Sequence, residues 1–146
     1  MATFSRNATV NWSGSLMEGA GEAKAGSGAY SLPVTFPRRI GDPQGGTSPE
    51  ELIAGAHAVC YAMVVNAAIG KKGGSIEKTH VACTVTADKS DAGIKITTSK
   101  LVVTVSGLKG MEPSAFAAFA KDAEKGCPVS NALRGSVTIE VEASVT

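Results

Sequence analysis

Cys60 and Cys127 are the side chains best suited to chemistry, because a cysteine thiolate is both a nucleophile and a reductant. Cys127 directly precedes Pro128, a residue that favours the first position of a helix, so we expect Cys127 to be the N-cap residue of a short helix. At an N-cap, free backbone N–H groups stabilise a thiolate. A cysteine that merely occupies a tight corner has the same local sequence, and both interpretations stay open on this evidence.

Cys60 lies in the middle of residues 47–70, which we predict to be a helix that is apolar over 52–69. No end of that helix is near Cys60, so we expect no helix terminus to lower the pKa of its thiol. A reactive thiolate therefore needs a cation from elsewhere. Arg38 and Arg39 precede the helix and also offer several fixed N–H groups to an oxygen substrate. An arginine pair at an exposed strand end is the commoner alternative.

Glu50 precedes Cys60 by ten residues, which corresponds to about 15 Å along one helix axis. The two side chains cannot meet within one chain, but an antiparallel copy of the helix would bring Glu50 beside the partner's thiol. A helix that is apolar all round needs such a covering surface. We therefore predict a homodimer with active sites at the subunit interface. Taken alone, Glu50 is better explained as a first-turn acid that complements the helix dipole.

His57 and Cys83 have simpler explanations. His57 lies three residues before Cys60 and could activate the thiol or bind metal, but the chain has only two histidines and no C-x-x-C motif. We expect a packed, hydrogen-bonded histidine and no metal site. Cys83 lies on the apolar face of a predicted strand, where a thiol acts as a small hydrophobic group.

The helices and strands that must position these residues are predicted in separate runs along the chain. The long helix begins with a capping box, either Ser48 with Glu51 or, one residue earlier, Thr47 with Glu50, and it ends at Gly70. The remaining pattern predicts strands within 2–36, with Pro33 at an edge, a hairpin over 81–105 with a bulge near 98–100, a helix over 113–125, and a last strand over 137–145. This order indicates an α+β fold with antiparallel sheets.

The length and composition of the chain indicate which classes of protein it can belong to. A chain of 146 residues is sized for one domain, residues 1–146, and 14 basic against 13 acidic residues argue against nucleic acid or an anionic membrane as partner. The apolar segment 52–69 is shorter than the roughly 20 residues that span a bilayer. The N-terminus lacks the apolar segment of a secretory signal, so we expect a cytoplasmic protein. Three cysteines are too few for a secreted disulfide scaffold, and in a reducing compartment cysteines that do not merely fill the core tend to be catalytic, redox-active or metal-bound.

Two motifs carry a family resemblance: TSPEELIAGAHAVC at residues 47–60 and GCPVS at residues 126–130. They resemble the osmotically inducible protein C / organic hydroperoxide resistance family, and the strand order is similar over the whole chain. The segment Phe36-Pro-Arg-Arg39 resembles the osmotically inducible branch. The resemblance implies an intertwined homodimer in which sheets wrap around long central helices.

The resemblance also implies a thiol-dependent peroxidase. It matches Cys60 to the peroxidatic cysteine, Cys127 to the resolving cysteine, Arg39 to the activating arginine and Glu50 to its carboxylate partner. It implies a lipoyl-type dithiol reductant, and we expect no cofactor. Apolar side chains around Cys60 should favour organic hydroperoxides over hydrogen peroxide: Ala56, Val59, Met63 and Val64.

Other functions remain open from the sequence. A non-catalytic stress protein that binds a small apolar ligand is the main alternative, and a metalloprotein is a weaker one. The choice between Arg38 and Arg39, and the role of His57, also remain open.

Overall fold

A computed structural model describes residues 1–146, which form two compact units, 1–52 and 53–146. The prediction of a single domain over the whole chain stays a prediction.

The first unit contains a small antiparallel sheet. Its strands β1 (Ala8–Ser13), β2 (Ala20–Ala25) and β3 (Ser31–Val34) lie in the order β1-β2-β3, so Pro33 is on an edge strand as predicted. The arginine segment is not the exposed strand end that was the commoner alternative. It forms a short helix, α1 (Phe36–Ile40), because Thr35 accepts a hydrogen bond from the Arg38 backbone N–H and Pro37 fits the first turn.

The long helix α2 (Pro49–Lys71) starts at the predicted capping box, where the Ser48 hydroxyl accepts from the Glu51 N–H at 3.1 Å. It ends one residue beyond the predicted Gly70. The chain turns instead at Gly73, whose φ of +77° is left-handed, and the Gly74 N–H bonds the Ile69 carbonyl at 3.0 Å.

The helix α2 spans 23 residues, and an 18-residue window within it has a mean hydropathy of 1.8. It is therefore long and apolar enough to cross a membrane, a test that core helices of soluble proteins also pass.

The second unit contains a mixed sheet. Strands β4 (Lys78–Ser90) and β5 (Gly93–Ser106) form the predicted hairpin, and β6 (Thr138–Val145) pairs with β5. The β5–β6 pairing is parallel, so the prediction of purely antiparallel sheets was wrong here. Three helical segments cross over between these strands and return the chain in the same direction: α3 (Pro113–Ala123), a 3₁₀ helix (Glu124–Gly126) and α4 (Pro128–Leu133).

A bulge in β5 changes which alternate residues of the strand face the core. Thr86 pairs with Thr98 and Ala87 pairs with Ile96, which leaves Thr97 without a partner. The bulge thus lies one residue before the predicted range 98–100. Beyond it, Ser99, Leu101, Val103 and Val105 all face the core.

The core of the second unit forms where α2 packs on β5 and α3. One stripe of α2 is buried, at a spacing of four residues: His57, Tyr61, Val65 and Ile69. Tyr61 anchors it by donating a hydrogen bond to the Ala120 carbonyl at 2.7 Å. Other apolar side chains of α2 remain exposed, with Val59 at 57% and Met63 at 68%. The α+β class with a long central helix is confirmed, and the intertwined homodimer stays a prediction.

Candidate active site

The sulfur atoms of Cys60 and Cys127 lie 3.2 Å apart, across 67 residues of sequence. Cys60 is half-buried on α2, and Cys127 is fully buried as the N-cap of α4, as predicted. A disulfide bond needs a sulfur–sulfur distance of about 2.05 Å, so the two atoms must approach by only about 1.2 Å. Both cysteines are free thiols here. The pair therefore has the proximity that reversible disulfide formation requires.

The first turn of α4 supplies backbone donors to both sulfurs. The Ser130 N–H donates to Cys127 Sγ at 3.5 Å, and a hydrogen bond from the Val129 backbone acts to lower the pKa of the Cys60 thiol. The expectation that no helix terminus reaches Cys60 was therefore wrong. It considered only the helix that carries Cys60, whereas the fold brings the start of another helix to it.

Burial nevertheless raises the pKa of the Cys60 thiol above its ordinary value, and the Cys127 side chain adds to the increase. The Val129 hydrogen bond offsets only part of this effect. A thiolate at neutral pH still requires a nearby positive charge, which an arginine can supply.

Arg39 and Glu50 form a bidentate ion pair in the first unit. Arg39 donates through Nε to both carboxylate oxygens at 3.2 and 3.1 Å, and through Nη2 to Oε1 at 2.6 Å. The two side chains are only 27% and 14% exposed. These hydrogen bonds hold the pKa of Glu50 below its usual range and raise that of Arg39. Both groups are therefore charged at neutral pH, and the guanidinium keeps a fixed orientation with its Nη1 donors free of Glu50.

Arg38 makes no ion pair. Of the two sequence candidates, Arg39 is therefore the one that the structure orients through a carboxylate.

A cavity of about 240 Å³ lies within the first unit, with Arg39 in its wall. Its other walls are mostly apolar and include Val10, Trp12, Leu16, Val34, Phe36 and Leu52. Of the side chains predicted to surround Cys60, Val64 packs on the core, whereas Ala56, Val59 and Met63 are exposed. The apolar surface of this pocket thus lies beside the arginine, a feature that the sequence pattern did not reveal.

His57 is the packed, hydrogen-bonded histidine that the sequence favoured. Its ring is fully buried, with Nδ1 2.7 Å from the Ser99 hydroxyl and Nε2 2.7 Å from the Ser130 hydroxyl. Desolvation lowers its pKa, with the charge of Glu124 opposing. Cys83 is half-buried rather than fully buried, and its sulfur lies 3.3 Å from the Ser99 hydroxyl.

Sequence reasoning missed the two serines. Ser130 was visible in the GCPVS motif, and Ser99 occupies a core-facing position of β5 that is otherwise apolar. A lone serine at such a position needs a buried hydrogen-bond partner. This requirement is the feature of the sequence from which the contact could have been predicted.

A second ion pair joins the two ends of the segment that carries Cys127. Glu124, only 6% exposed, precedes the cysteine, and Arg134 follows α4; Arg134 Nη2 donates to Glu124 Oε1 at 2.6 Å. Both ends of the 124–134 segment are thereby held together. The structure thus brings Cys60 to Cys127 and Arg39 to Glu50, with one pair in each unit.

Comparison with known proteins identifies the family. Residues 41–142 match the model of the family described as OsmC-like protein. The chain is 32% identical over 141 residues to Peroxiredoxin OsmC of Escherichia coli strain K12, covering 96% of this chain and 97% of that protein. It is 26% identical over 124 residues to the organic hydroperoxide resistance protein OhrB of Bacillus subtilis strain 168, covering 84% and 88%.

A solved structure agrees with this match. The crystal structure of an organic hydroperoxide resistance protein OsmC from Legionella pneumophila superposes with a TM-score of 0.78 at 25% identity, covering 99% of this chain and all of that one. The match extends over the whole fold and includes the segments that carry both cysteines. The chain belongs to the OsmC-like protein family.

Proposed function

We propose that this protein is a cysteine-based peroxidase that reduces organic hydroperoxides, and hydrogen peroxide more weakly. The observation that carries the proposal is the 3.2 Å separation of the Cys60 and Cys127 sulfurs. Relatives named Peroxiredoxin OsmC and organic hydroperoxide resistance protein OhrB support the same chemistry.

In the first step the Cys60 thiolate attacks one oxygen of the peroxide. A sulfur–oxygen bond forms, the oxygen–oxygen bond breaks, and the leaving oxygen takes a proton to depart as an alcohol, or as water from hydrogen peroxide. Cys60 is oxidised to a sulfenic acid. Arg39 stabilises the thiolate and then the negative charge that develops on the leaving oxygen, and Glu50 holds the guanidinium in place.

In the second step Cys127 attacks the Cys60 sulfenic sulfur. The sulfur–sulfur bond forms, the sulfur–oxygen bond breaks, and the hydroxyl leaves as water with the Cys127 proton. An external dithiol, which we propose to be of the lipoyl type, then reduces the disulfide by exchange and becomes a disulfide itself. A cytoplasmic location, also part of the proposal, would keep that dithiol reduced.

The complete site is proposed to form in a homodimer, with Cys60 and Cys127 from one subunit and Arg39 and Glu50 from the other. Two observations support this arrangement. Burial raises the pKa of the Cys60 thiol, which therefore needs an added cation, and the apolar side chains of Val59 and Met63 are exposed on the same helix. An antiparallel partner helix would satisfy both requirements at once.

The apolar cavity beside Arg39 supports a preference for organic hydroperoxides. Burial of an alkyl chain there contributes about 25 cal/mol per Å² of apolar surface, a contribution that hydrogen peroxide cannot obtain.

Cys60→Ser tests the proposal, with Cys83→Ser as the matched control. We expect Cys60→Ser to abolish the consumption of an alkyl hydroperoxide in the presence of a dithiol and Cys83→Ser to retain it. Unchanged turnover in Cys60→Ser would contradict the peroxidase proposal.

A non-catalytic binder of a small apolar ligand is the second candidate, and the same cavity favours it. A binder would take up an apolar ligand with unchanged affinity in Cys60→Ser and would consume no peroxide.

A further inference from the structure

A continuous set of buried polar contacts joins the helix of the proposed peroxidatic cysteine to the helix of the resolving one. His57 lies on α2, Ser99 on β5 and Ser130 in the first turn of α4, and all three side chains are 0% exposed. The imidazole bridges the two hydroxyls at 2.7 Å on each side. No buried side-chain nitrogen or oxygen in the chain lacks a partner, so this bridge is fully satisfied.

His57 and Ser130 each lie one helical turn from a sulfur. His57 precedes Cys60 by three residues on α2, and Ser130 follows Cys127 by three residues on α4. The Ser130 N–H is itself the donor to Cys127 Sγ. The hydroxyl of Ser130 therefore fixes the residue whose backbone holds the resolving sulfur, and the His57 ring fixes that hydroxyl relative to the helix of Cys60.

We propose that His57, acting through Ser130, is a positioning residue that keeps Cys127 within bonding distance of Cys60 for disulfide formation. The inference rests on the peroxidase function proposed above and concerns its second step alone. Neither His57 nor Ser130 touches the peroxide in this account. Loss of the bridge should therefore leave the attack of Cys60 on the peroxide unchanged and slow the attack of Cys127 on the sulfenic acid.

The other anchor of this segment cannot replace the bridge. The Glu124–Arg134 ion pair joins two points of the 124–134 segment to each other, and so gives the segment its shape without tying it to α2. The His57–Ser130 contact joins α4 to the helix of Cys60 without using a reacting sulfur, whereas the contacts of Val129 and Cys127 with that helix are made to Cys60 Sγ itself.

The test measures the two steps separately. Rapid mixing with an alkyl hydroperoxide, followed by acid quench and mass spectrometry, gives the rate at which Cys60 is oxidised. Trapping with dimedone gives the lifetime of the sulfenic acid, and the Cys60–Cys127 disulfide and the Cys60 sulfinic acid are quantified in the same samples.

The variants separate the two ends of the imidazole. Ser130→Ala removes the hydroxyl while keeping the backbone N–H. In His57→Gln the side-chain amide can reach the position of Nε2 and hence Ser130, whereas in His57→Asn it reaches the position of Nδ1 and hence Ser99. Ser136→Ala is the control, because it removes another serine hydroxyl just after α4, one that bonds only the Leu133 carbonyl.

We expect Ser130→Ala and His57→Asn to slow disulfide formation about tenfold, the factor given by loss of one well-placed hydrogen bond. Cys60 oxidation should change less than about twofold. The longer-lived sulfenic acid should convert more often to sulfinic acid under excess peroxide. His57→Gln should recover most of the wild-type rate of disulfide formation, and Ser136→Ala should match wild type.

Two results would overturn the inference. One is disulfide formation at the wild-type rate in Ser130→Ala and His57→Asn. The other is an equal loss of both steps in all His57 and Ser130 variants, which indicates a purely structural role. The wild-type sample distinguishes failure of the peroxidase proposal itself, because in that case Cys60 is not oxidised and no disulfide forms.

Discussion

Arg39 donates hydrogen bonds to the Glu50 carboxylate through two nitrogens, Nε and Nη2, and the shortest distance is 2.6 Å, from Nη2 to Oε1. Because Nε and Nη2 are both engaged by Glu50, the free Nη1 edge of the guanidinium points in a set direction. Glu50 also lies in the first turn of α2, so the arginine is fixed to the start of the long helix. This pair gives the proposed site an oriented cation.

Arg39→Met should lower the second-order rate constant for Cys60 oxidation by about 10²–10³-fold, the usual effect of removing one electrostatic donor from a developing oxyanion. The pKa of Cys60, measured by thiol alkylation against pH, should rise in the same variant. Arg38→Met is the matched control, since Arg38 makes no ion pair, and its rate should stay close to wild type. Equal losses in both variants would mean that Arg39 has no special role.

Glu50→Gln should remove a pH-dependent part of the stability. Arg39 lowers the folded-state pKa of Glu50 below its ordinary 4.5. The stabilisation is therefore present above pH 4.5 and is lost as pH falls through the folded-state pKa, because the unfolded chain takes up its proton first. At neutral pH the variant should lose about 1–2 kcal/mol in urea unfolding. A loss that stays constant down to pH 3 would contradict this account.

His57 predicts a separate pH window. Burial lowers its folded-state pKa below the ordinary 6.5. As pH falls below 6.5, the unfolded chain binds a proton at His57 that the folded chain does not, so the free energy of unfolding decreases toward acid. Above that pH both states are neutral at this site and the contribution is flat. Urea unfolding between pH 5 and 7.5 should show a smaller slope in His57→Gln than in wild type.

The sequence predicted the local features of the site correctly. Ser48 caps α2 and Cys127 caps α4, because a helix cap depends on residues that are close in sequence. His57 is hydrogen-bonded in the core, because a lone polar side chain among apolar residues needs a buried partner. The long helix and the class of the fold follow from the same local signals.

Long-range features were the ones missed. The parallel pairing of β6 with β5 depends on how the crossover through α3 and α4 returns the chain, and no strand pattern encodes that direction. Likewise, the Val129 N–H reaches Cys60 only because α4 packs near the middle of α2. The cavity beside Arg39 draws its walls from three strands and two helices, so no single motif revealed it.

The shared site can be tested by mixing two inactive chains. Arg39→Met keeps the cysteines, and Cys60→Ser keeps the arginine. If sites are shared between subunits, a heterodimer purified through two different tags contains one complete site and should recover about half of the wild-type rate per dimer. Wild type should sediment at twice the 14.7 kDa chain mass. An inactive heterodimer would contradict the shared site. It would mean either that Arg39 and Cys60 of the same chain form one site or that Arg39 is not part of the site.

The meeting of the two sulfurs is the central claim, and peptide mapping after peroxide treatment tests it most directly. The reduced protein, treated with a stoichiometric amount of alkyl hydroperoxide and then blocked with an alkylating agent, should lose two hydrogens and yield a crosslinked peptide pair containing Cys60 and Cys127, with Cys83 alkylated. In Cys127→Ser the crosslink should be replaced by a dimedone adduct on Cys60. Full alkylation of Cys60 and Cys127 after peroxide treatment of the wild-type protein, with no crosslink, would contradict the account.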